Sequence, residues 1–140
     1  MAIRIAFDET AAQSCGKIRV NVKELGVDLL TMAGHKLYAP KGIGALFIRR
    51  GTRIDSLIHG ASQESGRRAG TENVAYMVGL GEACEIASIE LSESETGIKK
   101  LRDRLYSAIV SGLGQERVRL NGHPEKRLPN TLNVSIRGAI

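Results

Sequence analysis

The sequence has no tryptophan, and its aromatic residues are three tyrosines and two phenylalanines, 4% of the chain. Single-stranded nucleic acid is held largely by stacking bases on aromatic rings, so this is poor material for that task. No stretch is apolar for long enough to span a bilayer, and Met1-Ala2-Ile3-Arg4-Ile5 is too short and too charged for a secretory signal. A membrane location is therefore not expected. Only two cysteines are present, Cys15 and Cys84, far apart and each in an apolar context. They read as buried thiols of a reducing compartment, kept inert because burial disfavours the thiolate. The three histidines and two cysteines show no ligand spacing, so no metal is expected. Asn133-Val134-Ser135 has the form of a glycosylation sequon and, with no secretory signal before it, is read as coincidence. Generic nucleotide motifs are missing too. No glycine-rich loop is followed by Lys-Ser or Lys-Thr, no dinucleotide fingerprint opens a helix, and no serine-centred elbow is present.

What is present is enough apolar material, 42% of 140 residues, to build a core for one domain, or for one domain and part of another. The net charge is +5. The basic residues are dispersed among acidic ones, apart from Arg49-Arg50 and Arg67-Arg68. Such a modest positive field suits small anions such as phosphates more than a nucleic-acid backbone.

One stretch organises the rest: Gly34-His35-Lys36-Leu37-Tyr38-Ala39-Pro40-Lys41-Gly42-Ile43-Gly44-Ala45-Leu46. A strand-like run, Leu29 to Met32, leads into it, and Ala45 to Ile48 leads out. Its glycines and proline allow a sharp bend and a close approach of backbone to a ligand. Lys36 is expected at the strand end, partly desolvated, where a lowered pKa makes its amine a nucleophile toward a carbonyl.

Elsewhere, Ala2 to Phe7 reads as a buried strand, Asp8-Glu9-Thr10 as a turn, and Ala11 to Cys15 as a short helix ended by Gly16. Val22 to Leu25 suits one helical turn stopped by Gly26. Strands are expected at 28–32 and 45–49, then an irregular segment, 53–65, with Ile54, Leu57 and Ile58 turned inward. Thr71 is the expected N-cap of a long helix over 72–91, with Val74, Met77, Val78, Cys84, Ala87 and Leu91 recurring on one face. The polar run Ser92 to Gly97 predicts a kink or boundary before a second helix, 98–110. Short strands follow at 118–120 and, more clearly, at 131–136, where Leu132, Val134 and Ile136 alternate with polar residues. A chain that opens in one core strand and stops after another is expected to be an internal piece of a larger architecture.

Four segments carry a family resemblance. They are Ala11-Ala12-Gln13-Ser14 with Gly16-Lys17, Gly34 to Leu46, Gln63-Glu64 with Gly66 to Asn73, and Leu128-Pro129-Asn130-Thr131-Leu132-Asn133-Val134-Ser135. In this order and spacing the chain resembles the class V aminotransferases, and within them the cysteine desulfurases and selenocysteine lyases. The resemblance implies an α/β fold, part of the type I fold of enzymes that use pyridoxal 5'-phosphate. That fold is a mostly parallel sheet with flanking helices and a small α+β C-terminal domain. Residues 1–91 would belong to the large, cofactor-binding domain and 92–140 would begin the small one. By the same resemblance, Lys36 is the catalytic lysine that joins the cofactor, His35 lies near its phosphate, and Gln13 bonds its phenolic oxygen. Thr71 reaches the phosphate of the neighbouring subunit in the family's dimer. The implied substrate is cysteine or selenocysteine, giving alanine, and the implied setting is cytoplasmic or organellar. Implied partners are a second copy or a full-length relative, and iron–sulfur assembly proteins, with no nucleic acid and no membrane.

Three departures qualify this. Thr10 stands where the family places an aspartate under the pyridine nitrogen, and a hydroxyl supplies no charge there. Gly60-Ala61-Ser62 replaces a glycine-rich run, and Ser65 a basic residue. Family regions carrying the aromatic ring stacker, the sulfur-accepting cysteine and the carboxylate-binding arginine have no counterpart in these 140 residues. The chain is thus expected to release no sulfide alone. Two alternatives are a non-enzymatic module that pairs with a full-length relative around Arg67 to Thr71, and a basic phosphate-binding module using Arg67 and Arg68.

Overall fold

Asn21 starts the first regular element and Gly26 stops it. The Asn21 side-chain oxygen accepts from the amides of Lys23 (2.9 Å) and Glu24 (3.5 Å), satisfying two donors that a helix start leaves unpaired. The single turn α1 (Val22–Leu25) ends as expected at Gly26. The computed structural model describes residues 8–138, so the strand expected at 2–7 lies outside the described residues.

Strand β1 (Asp8–Thr10) pairs in parallel with β2 (Leu29–Ala33), with Asp8 opposite Leu29 and Thr10 opposite Thr31. Strand β3 (Gly44–Ile48) runs antiparallel on the other side of β2, with Leu29 opposite Ile48 and Ala33 opposite Gly44. Residues 8–10 therefore form a strand, not the expected turn: their polar side chains look like turn chemistry, but their backbone finds a ladder partner some twenty residues away. The segment Ala11 to Cys15 is one hydrogen-bonded turn rather than a helix. The amides of Ser14 and Cys15 both return to the carbonyl of Ala11, at 3.2 and 2.9 Å. A nucleus this short is not propagated.

Ala11, Val27 and Leu30 form the buried cluster of this region, with Cys15, Val20 and Val22 packed against it. Beside it, Asp28 is buried and its carboxylate accepts from Arg49 Nε at 2.9 Å. In the irregular stretch after β3, Leu57 and Ile58 are exposed (93% and 52%) rather than turned inward, and Ile54 is half-buried.

A short turn, α2 (Gln63–Gly66), precedes the helix α3 (Val74–Leu113). The cap of α3 is Asn73, whose side-chain oxygen accepts from the amide of Tyr76 at 3.2 Å, and not Thr71. The expected break at 92–97 does not occur, and α3 is one 40-residue helix. The glutamates there are good helix formers and Gly97 costs only about 1 kcal/mol relative to alanine. The Thr96 hydroxyl donates to the carbonyl of Ser92 at 2.9 Å, one turn back, so this side chain is satisfied within the helix. On the apolar face of α3, Leu80 is buried while Val74, Met77 and Val78 are exposed.

The chain divides into two compact units. The first takes the residues up to Cys15 together with Val20–Ala87, and the second takes Gly16–Arg19 together with the residues from Ser88 onward. In the second unit, β4 (Val118–Leu120) pairs antiparallel with β5 (Val134–Ile136). The strand expected at 131–136 is thus shorter, although the amide of Asn121 still reaches the carbonyl of Asn133 at 2.9 Å. Arg102, almost fully buried, bonds Asp103 and donates to the carbonyl of Leu128 at 3.2 Å, tethering the Leu128-Pro129 loop to α3. Among the described residues no helix is long and apolar enough to cross a membrane.

Candidate functional site

Parallel strands deliver their carboxyl ends to the same edge of a sheet, and ligand sites of α/β folds lie outside such ends. Here the edge is made by β1 and β2. The chain leaving β1 is held to β2 by the amide of Ala11, which donates to the carbonyl of Thr31 at 2.9 Å. Gln13 follows in the turn beyond it and is exposed. The chain leaving β2 winds into a 3-10 turn, Gly34–Leu37. Leu37 is buried beneath that turn, and the amide of Ala39 closes it on the carbonyl of Gly34 at 3.1 Å. With Gly34 and Leu37 inward, His35 and Lys36 are left exposed. The partial desolvation expected at Lys36 is therefore absent, since a turn of four residues with its inner positions filled has no apolar wall to set against the amine.

Topology thus brings Gln13, His35 and Lys36 to one edge. Thr71 belongs to another segment of the chain. It is exposed in a segment organised by its own contacts. Gln63 Oε1 accepts from the amide of Gly70 at 3.1 Å, and Arg68 Nη1 donates to the carbonyls of Gly70 (3.0 Å) and Thr71 (3.5 Å). Among the described residues no hydrogen bond or ion pair joins Thr71 to Gln13, His35 or Lys36. Glu64 and Ser65, just before it, both sit at positive φ (51° and 56°), a conformation costing non-glycine residues roughly 1–3 kcal/mol each.

Pyridoxal phosphate asks for a primary amine at its aldehyde, donors for its phosphate and phenolic oxygen, and an acid at its ring nitrogen. The accessible amine of Lys36, the imidazole of His35 and the amide of Gln13 fit the first two requirements. At the third, Thr10 ends β1 with its own amide bonded to Glu9 Oε1 at 3.1 Å. The residues present thus meet the first two requirements, and at the third a hydroxyl stands in place of the acid.

A cavity of about 950 Å³ was not foreseen from the sequence. It is lined by Met32, Ile43, Leu46, Leu80 and Cys84, with Arg67 among its polar residues. It does not include the four residues above. Its walls come from distant segments, and no local signal marks it. Cys15 and Cys84 are half-buried, not fully buried as expected. Burial first, and then the nearby Cys84 thiolate charge, push the Cys15 thiol above its ordinary value. That keeps Cys15 protonated, and so weakly nucleophilic, near neutrality.

A sequence model of the family described as class-V aminotransferase matches residues 5–139. The cysteine desulfurase IscS of Methanosarcina thermophila is 48% identical over 132 residues, covering 94% of this chain and 32% of that protein. Cysteine desulfurase 2 of Trichormus variabilis is 50% identical over 131 residues, with the same two coverages. Among solved structures, a NifS-like protein superposes with a TM-score of 0.83 at 43% identity, over 92% of this chain and 34% of its own. A NifS-like protein from Rickettsia africae superposes with a TM-score of 0.86 at 33% identity, over 96% and 36%. The chain spans about a third of the length of the curated relatives it matches. Its fold is part of the type I fold, and the family works with pyridoxal phosphate. Since the family match runs from the residues just before β1 to beyond β5, the chain belongs to the class V aminotransferases, where its relatives are cysteine desulfurases.

Proposed function

We propose that this chain carries the cofactor lysine of a pyridoxal-phosphate-dependent cysteine desulfurase, acting on cysteine or selenocysteine to give alanine. The observation that supports this best is the exposed Lys36 amine in a fixed turn, at the carboxyl edge shared with Gln13 and His35. Pyridoxal phosphate, when bound, supplies an electron sink for a substrate amine. Lys36 Nζ would hold the cofactor at its aldehyde and would serve as the amine that holds and moves a proton. Gln13 would donate an amide hydrogen to the phenolic oxygen. His35 would hold the phosphate, and Thr71 would offer its hydroxyl to the phosphate of a neighbouring subunit. Thr10 would leave the ring nitrogen without a carboxylate, a weaker electron sink. On this reading residues 1–91 belong to the large domain and 92–140 begin the small one. The setting is the cytoplasm or an organelle, the chain pairs with a second copy or a full-length relative, and iron–sulfur assembly proteins are the family's partners.

Titration with pyridoxal phosphate tests the reading. A saturable visible absorbance band is expected, lost in Lys36→Ala. An unchanged band in that variant would remove Lys36 from the role. Sulfide release is expected to stay at the no-protein level when the 140-residue chain is given cysteine, cofactor and reductant. Its two thiols are half-packed, and burial holds the Cys15 thiol protonated and weakly nucleophilic. Release above background would show that one of them accepts sulfur.

A second reading, a module that pairs with a full-length relative, is favoured by the exposure of Arg67, Arg68, Gly70 and Thr71 next to the exposed apolar residues Val74, Met77 and Val78. Co-purification with such a relative supports it, and no association removes its support.

A further inference from the structure

The two thiols of this chain lie over the same face of β2. Leu30 and Met32 share that face, because side chains alternate along a strand, and the intervening Thr31 is exposed. Cys15 packs against the cluster that contains Leu30. Cys84 lines the cavity together with Met32. Helix α3 sets the register. Leu80 lies against the end of the strand, where a Cβ added to Gly34 would stand 3.2 Å from Leu80 Cδ1. Cys84 is one helical turn further on and lines the same cavity as Met32, and Leu30 is the next residue on the Met32 face. The chain after Cys15 agrees, since Gly16–Arg19 belongs to the same compact unit as the part of α3 that starts at Ser88, one turn beyond Cys84. The Cys84 charge also adds to the upward push on the Cys15 thiol, in keeping with this placement.

We propose that Cys15 and Cys84 are a redox pair that closes an intramolecular disulfide, with Cys84 reacting first from the cavity and Cys15 resolving. Glutathione disulfide is the oxidant. The Cys84 thiolate attacks one of its sulfurs, forming a mixed disulfide and releasing one glutathione. The Cys15 thiolate then attacks Cys84 Sγ, and the second glutathione leaves with the proton. Two protein thiols are oxidised and one glutathione disulfide is reduced to two glutathiones. In a reducing compartment such a bond is transient and reports oxidation. Closed, it would fasten the turn that carries Gln13 to α3, coupling oxidation to one side of the candidate site.

The test is incubation of the full chain in glutathione buffers of stepped redox ratio, with acid quenching, alkylation of remaining thiols and peptide mapping. The wild-type chain is expected to give a Cys15–Cys84 linked peptide, at a rate independent of protein concentration. Cys15→Ser should stop at a stable glutathione adduct on Cys84. Cys84→Ser should form its adduct on Cys15 about tenfold more slowly, because burial holds that thiol above its ordinary value whereas Cys84 opens on the cavity. Glutathione adducts alone on both wild-type thiols, or disulfides only between molecules, would overturn the proposal. Equal adduct rates in the two variants would overturn the assigned order of attack.

Discussion

Gly44→Ala is expected to destabilise the first unit by about 2–4 kcal/mol, a larger effect than ordinary overpacking gives. A Cβ at Gly44 would stand 2.6 Å from the carbonyl oxygen of Met32, and that atom belongs to the backbone of the paired strand. A flexible side chain could swing aside, but a carbonyl in a ladder cannot move without opening the β2–β3 pairing. Gly34 meets the same obstacle from the other side. Its added Cβ would lie 2.7 Å from the carbonyl oxygen of Ile43 and 2.9 Å from Ile43 Cγ2. The Gly34 amide also donates to that carbonyl at 3.0 Å, so relief of the clash costs a hydrogen bond. Gly34→Ala should match Gly44→Ala in cost and also shift the turn that holds His35 and Lys36. Gly81→Ala is the control. It lies inside α3 with nothing within 4 Å of the added Cβ, and should be neutral or stabilising by up to about 1 kcal/mol. Urea unfolding followed by circular dichroism measures all three. Equal stability of Gly44→Ala and Gly81→Ala would contradict the close-approach account.

Asp28→Ala is expected to cost about 2–3 kcal/mol. Asp28 is 3% exposed and enters β2 directly, so its carboxylate cannot be hydrated in place. Its partner Arg49 also donates to the carbonyl of Val27, from Nε at 3.1 Å and Nη2 at 2.6 Å, and the amide of Arg49 bonds the carbonyl of Asp28 at 2.8 Å. The pair therefore clamps the entrance of β2 to the exit of β3. Because the Arg49 side chain is 36% exposed, it can recover water once the carboxylate is gone, which places the cost below that of a fully buried pair. Asp28→Asn should lose less than Asp28→Ala, since it keeps an acceptor for Arg49. The same unfolding curves decide. An Asp28→Ala variant as stable as the parent would mean that the clamp holds nothing.

The parts of the fold legible in the sequence are those written in local chemistry. Asn21 and Gly26 bound α1, alternation marks β2 and β3, and the glycines and proline of 34–46 mark the bend between them. What was not legible depends on partners far along the chain. Asp8 to Thr10 has turn residues and becomes a strand only because β2 lies beside it. The Ser92 to Gly97 run reads as a break, yet nothing in it prevents helix hydrogen bonding. Val74, Met77 and Val78 have the spacing of a buried face and are exposed, because spacing tells which residues share a face and not what covers it. The candidate site divides in the same way. The turn around Lys36 is local and was readable. The exposure of its amine follows from where the buried Leu37 anchors the turn, and the local contacts of Gln63 to Thr71 are made by side chains that no spacing rule marks.

The most direct test of the central claim is to treat the wild-type chain with pyridoxal phosphate, reduce it with borohydride and map the labelled lysine by mass spectrometry. The account predicts a single dominant pyridoxyl label on Lys36, with Lys17, Lys41 and the other lysines near background, and incorporation falling about tenfold or more in Lys36→Ala. Label spread evenly over the lysines, unchanged by that substitution, would contradict it.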